Sequence, residues 1–180
     1  MGLQRIPERG KMLASMKTAF ELVASTPHCH VAAAPGVAVV CYWGRTASAE
    51  VEAFRAGIEA AHRDGTPIAV AFWVHRETRP PDRDTRDGVS AVISGLRGRM
   101  LAMAGIVEGS GLGATSRRTL MRAVFSMNRL DGPAQVFSDP RAAASWLAEA
   151  MPASRDGTLQ RESIAEAIVV GIEAGQSAPR

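Results

Sequence analysis

Short, mostly apolar runs recur between residues 28 and 138 of this chain. They lie at residues 28–33, 37–44, 67–74, 100–107 and 135–138. Such runs predict β-strands, and the two near the middle of the chain are typical of strands covered on both faces. The first two runs are separated only by Ala34-Pro35-Gly36, which predicts a hairpin. Its register places His30 opposite Cys41 and His28 opposite Trp43.

Elsewhere, apolar side chains recur every three or four positions, as they do on the buried face of a helix. These helical patterns cover residues 11–23, 46–65, 84–98, 115–130, 140–151 and 161–174. The pattern at 46–65 begins with Thr46 or Ser48 as cap and ends before Pro67. Asp139 followed by Pro140 predicts an N-cap and a first helical position.

The order of these elements predicts an α/β fold. A leading hairpin followed by alternating strand and helix units requires a mixed β-sheet of about five strands, covered by four to five helices. The predicted domain spans residues 28–151. Residues 1–27 form an N-terminal extension with a helix, and residues 152–180 form a linker and a C-terminal helix.

The predicted helix at 115–130 has two apolar stripes at helical spacing. The first, predicted to pack on the sheet, comprises Leu120, Ala123, Val124 and Met127. The second comprises Met121, Phe125 and Asn128. Two interpretations of the second stripe stay open: the helix is buried between neighbours, or the stripe is an interaction face for another protein or a second copy of this chain.

Composition narrows the class of protein. A chain of 180 residues with 46% hydrophobic and 22% charged residues fits one globular domain. Its apolar runs are far shorter than the roughly 20 residues of a membrane span. Residues 1–10 lack the apolar core of a signal peptide, which predicts a cytoplasmic protein. The net charge of +3, without a basic patch interleaved with aromatic residues, argues against nucleic-acid binding.

The order and size of the elements at 28–151 resemble the STAS family, the sulfate-transporter and anti-sigma-factor-antagonist domains, and its SEC14-like relatives. The resemblance is carried by the hairpin at 28–44 and by three short motifs. These are Trp43-Gly44-Arg45, Val136-Phe137-Ser138-Asp139 and Trp146-Leu147. It implies an α/β domain that acts by binding a protein partner.

The same resemblance implies a phosphorylation switch. In antagonist members a serine or threonine at the start of the second helix, usually within Asp-Ser-Ser-Gly, is phosphorylated. Asp84-Thr85 is the nearest match, so Thr85 is the implied phosphosite. The surrounding Asp82, Asp84 and Asp87 would repel a phosphate, and the alternative is a plain helix cap by Asp84.

A glycine-rich turn follows the strand at 100–107 and opens the next helix. A ligand phosphate there would contact Gly109, Ser110, Gly111 and Gly113, with Arg117 or Arg118 as cation. The alternative is a flexible turn, since the dinucleotide fingerprint belongs to the first strand-to-helix turn of its fold.

Other reactive side chains suggest no chemistry. Of His28, Cys29, His30 and Cys41, the two histidines point to one face and Cys41 lies across the ladder from His30, but no fourth ligand is evident, so we expect no metal. Glu77, Asp82 and Glu108 follow predicted strands, but nothing pairs one of them with a nucleophile. We therefore expect a protein that is not an enzyme and needs no cofactor. The sequence predicts a regulatory or scaffold protein that binds another protein. The first alternative is binding of a nucleotide or lipid head group at the glycine turn, and the second is a hydrolytic or transfer enzyme centred on Glu77 and Glu108.

Overall fold

The computed structural model describes residues 20–76, 78–79, 81–127, 130, 132–151, 162, 164–166 and 168–170. Six strands and four α-helices have defined bounds among them. The strands are β1 (Glu21–Thr26), β2 (Cys29–Ala34), β3 (Val37–Tyr42), β4 (Ile68–Val74), β5 (Met100–Ile106) and β6 (Ala134–Phe137). The helices are α1 (Ser48–Ala61), α2 (Arg83–Ser94), α3 (Gly111–Met127) and α4 (Pro140–Ala150), with a 3₁₀ turn at Arg63–Gly65. Residues 162, 164–166 and 168–170 are also helical.

The six strands form one sheet in which their spatial order equals their order along the chain. β1, β2 and β3 are antiparallel, whereas β3, β4, β5 and β6 are parallel. The predicted mixed α/β sheet is therefore confirmed, with six strands instead of about five. Each crossover in the parallel half advances by one strand in the same direction. Because such crossovers share one hand, their helices are expected on one face of the sheet.

The two hydrophobic cores show this arrangement. α1, α2 and α3 pack on one face through residues such as Phe54, Ile93 and Phe125. α4 follows the last strand and packs on the other face, where Leu147 is fully buried together with Ile164 and Ile168. β4 and β5 are covered on both faces, as their continuous apolar runs predicted.

The hairpin of β2 and β3 has the predicted register. His30 lies opposite Cys41, and the N–H of Trp43 continues the pairing by donating to the carbonyl of His28 at 3.1 Å. Gly36 in the connecting turn has a φ of +81°, a conformation that residues with a Cβ rarely adopt. A two-residue connection of this kind sets the register of both strands.

The helix predicted at 11–23 is wrong for its last four residues, because Phe20 is not helical and 21–23 belong to β1. Residues 11–19 lie outside the described part of the chain. β1 pairs with β2 across a turn in which the hydroxyl of Thr26 accepts a hydrogen bond from the N–H of His28 at 3.1 Å. Pairing with β2 decides the structure of this segment, because a short helix is only marginally stable on its own. The sheet thus extends into the segment predicted as an N-terminal extension.

Glu50, in the first turn of α1, is buried and connects this helix to β1. One carboxylate oxygen accepts from the N–H of Ala47 at 2.9 Å, and the other accepts from the hydroxyl of Thr26 at 2.8 Å. Ala47 is the N-cap, a position for which the sequence predicted Thr46 or Ser48. The carboxylate of Glu50 accepts the N–H of the N-cap itself, which is the reciprocal half of a capping box, and the alanine side chain offers no acceptor for the other half.

We expect Glu50→Ala to lower the free energy of unfolding by about 2–4 kcal/mol, because it removes the helix-start acceptor and leaves the Thr26 hydroxyl half-buried without its partner. Urea denaturation followed by circular dichroism measures this change. Glu52→Ala is the matched control, since Glu52 is exposed and forms a surface ion pair with Arg55; its effect is expected within about 0.5 kcal/mol. Equal stability of the two variants would contradict the role of Glu50.

Candidate functional site

The glycine-rich turn lies where β5 ends and α3 begins, at the carboxyl edge of the parallel strands. Gly109 and Gly111 have φ values of +91° and +83°, so a side chain at either position would strain the backbone. The whole segment from Gly109 to Gly113 is exposed. α3 begins at Gly111, four residues earlier than the predicted start at 115. The turn is therefore an open surface loop.

The two arginines predicted as phosphate ligands donate to backbone carbonyls. Arg117 donates from a terminal nitrogen to the carbonyl of Arg76 at 2.8 Å. Arg118 donates from Nε to the carbonyl of Val107 at 3.3 Å and from a terminal nitrogen to the carbonyl of Gly109. The buried Nε of Arg117 has no acceptor among the described residues and is shielded from a ligand in solution. These bonds tie α3 to the loops that follow β4 and β5.

Thr85, the implied phosphosite, is buried in the first turn of α2, with 5% of its surface exposed. Its hydroxyl donates to the carbonyl of Thr46 at 3.4 Å, and its N–H donates to the carboxylate of Asp82 at 2.9 Å. The cap of α2 is thus Asp82, which corrects the predicted cap at Asp84. Hydrogen bonds with Thr85 hold the pKa of Asp82 below its usual value. A kinase would reach the Thr85 hydroxyl only if this turn opened.

The structure reverses the two predicted stripes of α3. Phe125 is 7% exposed and Met121 packs partly buried in the same core, so both residues proposed for an interaction face point to the sheet. The reason lies in β5, where a Cβ at Gly105 would overlap the sulfur of Met121. The missing side chain leaves a recess that Met121 and Phe125 fill. Asn128, the third residue of that stripe, lies outside the described residues.

The stripe predicted to face the sheet is exposed instead. Leu120 is 42% exposed and Met127 is 73% exposed, Ala123 is exposed as well, and Val124 alone is half-buried. Leu112, in the first turn of α3, is 88% exposed. We call Leu112, Leu120, Ala123 and Met127 the outer stripe. It runs along the side of α3 away from the sheet, where apolar side chains stay in contact with water instead of packing in the core.

The cysteine and histidine cluster does not form a metal site. Cys29 belongs to the core on the α1 side and Cys41 to the core on the α4 side, so the sheet separates the two thiols. His30 packs against Trp43, with ring centroids 4.6 Å apart, and burial lowers its pKa. Within the described residues, no group of three or more histidine, cysteine or acidic side chains could hold a metal ion.

Three buried titratable groups lie around the β2–β3 pair. Burial raises the pKa of the Cys41 thiol to about 12, and it raises the pKa of the Cys29 thiol and the Tyr42 hydroxyl well above their ordinary values. The nearby charge of Glu50 acts in the same direction on Cys29 and Tyr42. All three groups are therefore neutral near pH 7, and neither cysteine is an activated nucleophile.

The predicted carboxylate candidates do not form a cluster among the described residues. Asp82 is used as a helix cap, and Glu108 is half-buried after β5. Glu77 lies outside the described part of the chain. Sequence reasoning from strand ends located these residues at one edge, but the hydrogen bond that Asp82 accepts from the N–H of Thr85 gives it a structural role.

An open groove of about 430 Å³ lies between the second half of α3 and the start of β6. Its described lining residues are Arg122, Phe125, Ser126, Leu130, Gly132 and Ala134. Sequence reasoning missed this groove. Phe125 lay in the second stripe of the predicted helix, for which a buried and an interacting interpretation both stayed open; the other residues come from a helix flank and a loop that periodicity does not bring together.

Scans against protein-family models, curated proteins and solved structures returned no match to this chain. Every helix among the described residues is too short or too polar to cross a bilayer.

Proposed function

We propose that this chain is a non-catalytic regulatory or scaffold protein that acts by binding another protein through the outer stripe of α3. The observation that carries this proposal is the exposure of Leu120 and Met127 on a helix whose other side is already packed on the sheet. Apolar side chains in a row on one surface helix lose unfavourable contact with water when a partner covers them.

The charge of α3 indicates the chemistry of the partner. The helix carries Arg117, Arg118 and Arg122, and it has no aspartate or glutamate. In an antiparallel pairing of two copies centred on Leu120, Arg122 of one helix would lie beside Arg118 of the other. Because like charges oppose such a pairing, a different protein with an apolar surface rimmed by carboxylates fits better than a second copy.

The architecture supports a STAS-like domain within this proposal. An antiparallel hairpin precedes three parallel strand and helix units over residues 28–151, which is the order on which the resemblance rested. Two free cysteines on opposite faces of the sheet are compatible with the proposed cytoplasmic location, where thiols stay reduced. A phosphorylation switch at Thr85 would need local opening of α2.

Small-ligand binding at the glycine turn has less support. Arg118 already donates to the carbonyl oxygens of Val107 and Gly109, and Arg117 donates to that of Arg76. Arg118 therefore meets the turn at the carbonyl of Gly109, Arg117 donates outside the turn, and the donors of the two arginines are not arranged around an open anion site.

The test compares partners captured from the native host by the wild-type chain and by Leu120→Glu and Met127→Glu. A partner identified by mass spectrometry is purified, and its affinity is measured by calorimetry. We expect at least about tenfold weaker binding for each variant, because each places a carboxylate in an apolar contact that faces acidic groups.

Leu22→Glu is the matched control, since Leu22 is 65% exposed on β1, at the opposite edge of the sheet. It is expected to bind like the wild type. Equal affinity of the outer-stripe variants and the wild type would refute the proposal. Light scattering that shows a wild-type dimer and a monomeric Leu120→Glu variant would replace the foreign partner with a second copy.

A further inference from the structure

The groove between α3 and β6 adjoins the open edge of β6, and we propose that together they bind an extended, acidic segment of a partner protein as a seventh strand of the sheet. The inference rests on the proposed function in one respect, that the ligand is a protein. It concerns a different surface from the outer stripe, and a segment could bind there whether or not the outer stripe is used.

β6 is the last strand of the sheet and pairs only with β5 among the described strands. The carbonyls of Pro133 and Phe137 accept hydrogen bonds from the β5 side, each at 3.0 Å. Residues that face a given neighbour alternate along a strand, so the backbone groups of Ala134 and Val136 point away from β5. Ala134 is exposed and Val136 is half-buried. Their N–H and C=O groups offer the edge to which an extended segment can add.

The groove lies on the α3 side of this edge. Val136 contacts the core beneath α1, α2 and α3, so side chains of an added strand that point to the same side would enter the groove. Phe125 and Leu130 supply apolar contact there, and the groove is of the size of ordinary ligand pockets. An added strand would thus obtain affinity from main-chain hydrogen bonds and selectivity from one or two side chains.

Arg122 determines which charge the groove favours in a side chain of the added strand. It is exposed, it is the one charged residue among the described lining residues, and α3 has no acidic residue to neutralise it. A guanidinium binds a carboxylate with two parallel hydrogen bonds when the two meet in the right plane. An aspartate or glutamate near an apolar residue is therefore the feature that the groove selects, and a basic segment is repelled.

The experiment uses a phage-displayed library of random 12-residue peptides, selected on the immobilised full chain. The most enriched peptide is then synthesised with a fluorescent label, and its affinity is measured by anisotropy. We expect enriched peptides to share an acidic residue next to β-branched or aromatic residues. Arg122→Glu should weaken binding at least about tenfold, because it replaces an attractive charge with a repulsive one.

Ala134→Pro tests the strand edge. It removes an N–H that faces away from β5 and leaves the hydrogen bonds between β5 and β6 in place, which edge strands tolerate. It should weaken peptide binding at least about tenfold. Arg97→Glu, an exposed arginine outside the groove, and Ala134→Ser are the matched controls, and both should bind like the wild type. Unchanged thermal unfolding of the variants shows that folding is intact.

Enrichment of no peptide, or of peptides whose binding survives both Arg122→Glu and Ala134→Pro, would overturn the inference. Failure of the proposed function has a different signature, because Leu120→Glu would then bind the host partner normally while the peptide measurements stay as expected. Leu120→Glu itself is expected to bind the peptide with wild-type affinity.

Discussion

Replacing Phe125 with alanine is expected to lower the free energy of unfolding by about 3–5 kcal/mol. The ring is 7% exposed and fills the recess above Gly105 together with Met121, so its loss leaves a cavity under α3 that the backbone of β5 cannot fill. Urea denaturation of the full chain, followed by circular dichroism, measures the effect. Equal slopes of the unfolding free energy against urea concentration in the two proteins would show that the mutation changes stability and not the extent of unfolding.

Met127→Ala is the matched control on the same helix. Met127 is 73% exposed, so its truncation is expected to change the free energy of unfolding by no more than about 0.5 kcal/mol. If Met127→Ala destabilised the protein more than Phe125→Ala, α3 would face the sheet with the stripe first predicted from the sequence. The assignment of the outer stripe as a partner surface would then fail with it.

The free energy of unfolding is also expected to fall steeply as the pH rises from about 9 to about 12. In the folded protein, burial raises the pKa of Cys41 from 9.0 to about 12 and raises the pKa of Cys29 and Tyr42 in the same direction. Between these pH values the unfolded chain loses protons that the folded chain keeps. Each such group then lowers the free energy of unfolding by roughly 1 kcal/mol per pH unit. Below about pH 9 the stabilisation that each group provides is fully present.

Few side chains of this protein titrate between about pH 9 and about pH 12, so the change in stability can be assigned to the buried groups. The chain has one tyrosine, two cysteines and only the two lysines Lys11 and Lys17, while its arginines stay protonated. Urea denaturation at several pH values between 8 and 12 measures the slope. In Cys41→Ala the protein should be less stable near pH 7, because the mutation leaves a small cavity, but its stability should fall less steeply above pH 9. Identical slopes in the variant and the wild type would contradict the assignment to the buried thiol.

Local signals predicted the elements that depend on a few neighbouring residues. The register of His30 opposite Cys41 follows from a two-residue turn that admits one pairing. The start of α4 follows from Asp139, whose carboxylate accepts from the N–H groups of Arg141 and Ala142 at 3.2 and 3.1 Å. In both cases the interacting groups are close in sequence, so the local pattern contains the whole interaction.

Elements that depend on distant partners were predicted less well. β1 carries a weak helical pattern, and it becomes a strand because β2 offers an edge and Glu50 of α1 binds Thr26. Glu50, which accepts the N–H of the N-cap Ala47, is itself held by the hydroxyl of Thr26, 24 residues earlier in the chain. Arg117 and Arg118 bind carbonyls of two separate loops. The Thr26–Glu50 and Arg117–Arg76 contacts join residues that are 24 and 41 positions apart, so no local window of the sequence contains them.

The sequence by itself determined that this chain forms a mixed α/β sheet, where most of its strands and helices lie, and that the strands β4 and β5 are buried on both faces. Those properties follow from the period of apolar residues, which each element carries on its own. Only the tertiary structure decided which side of α3 meets the sheet, because both stripes have the same period and the recess at Gly105 selects between them. The exposed surfaces of the protein, and so the proposals for its function, depend on that choice.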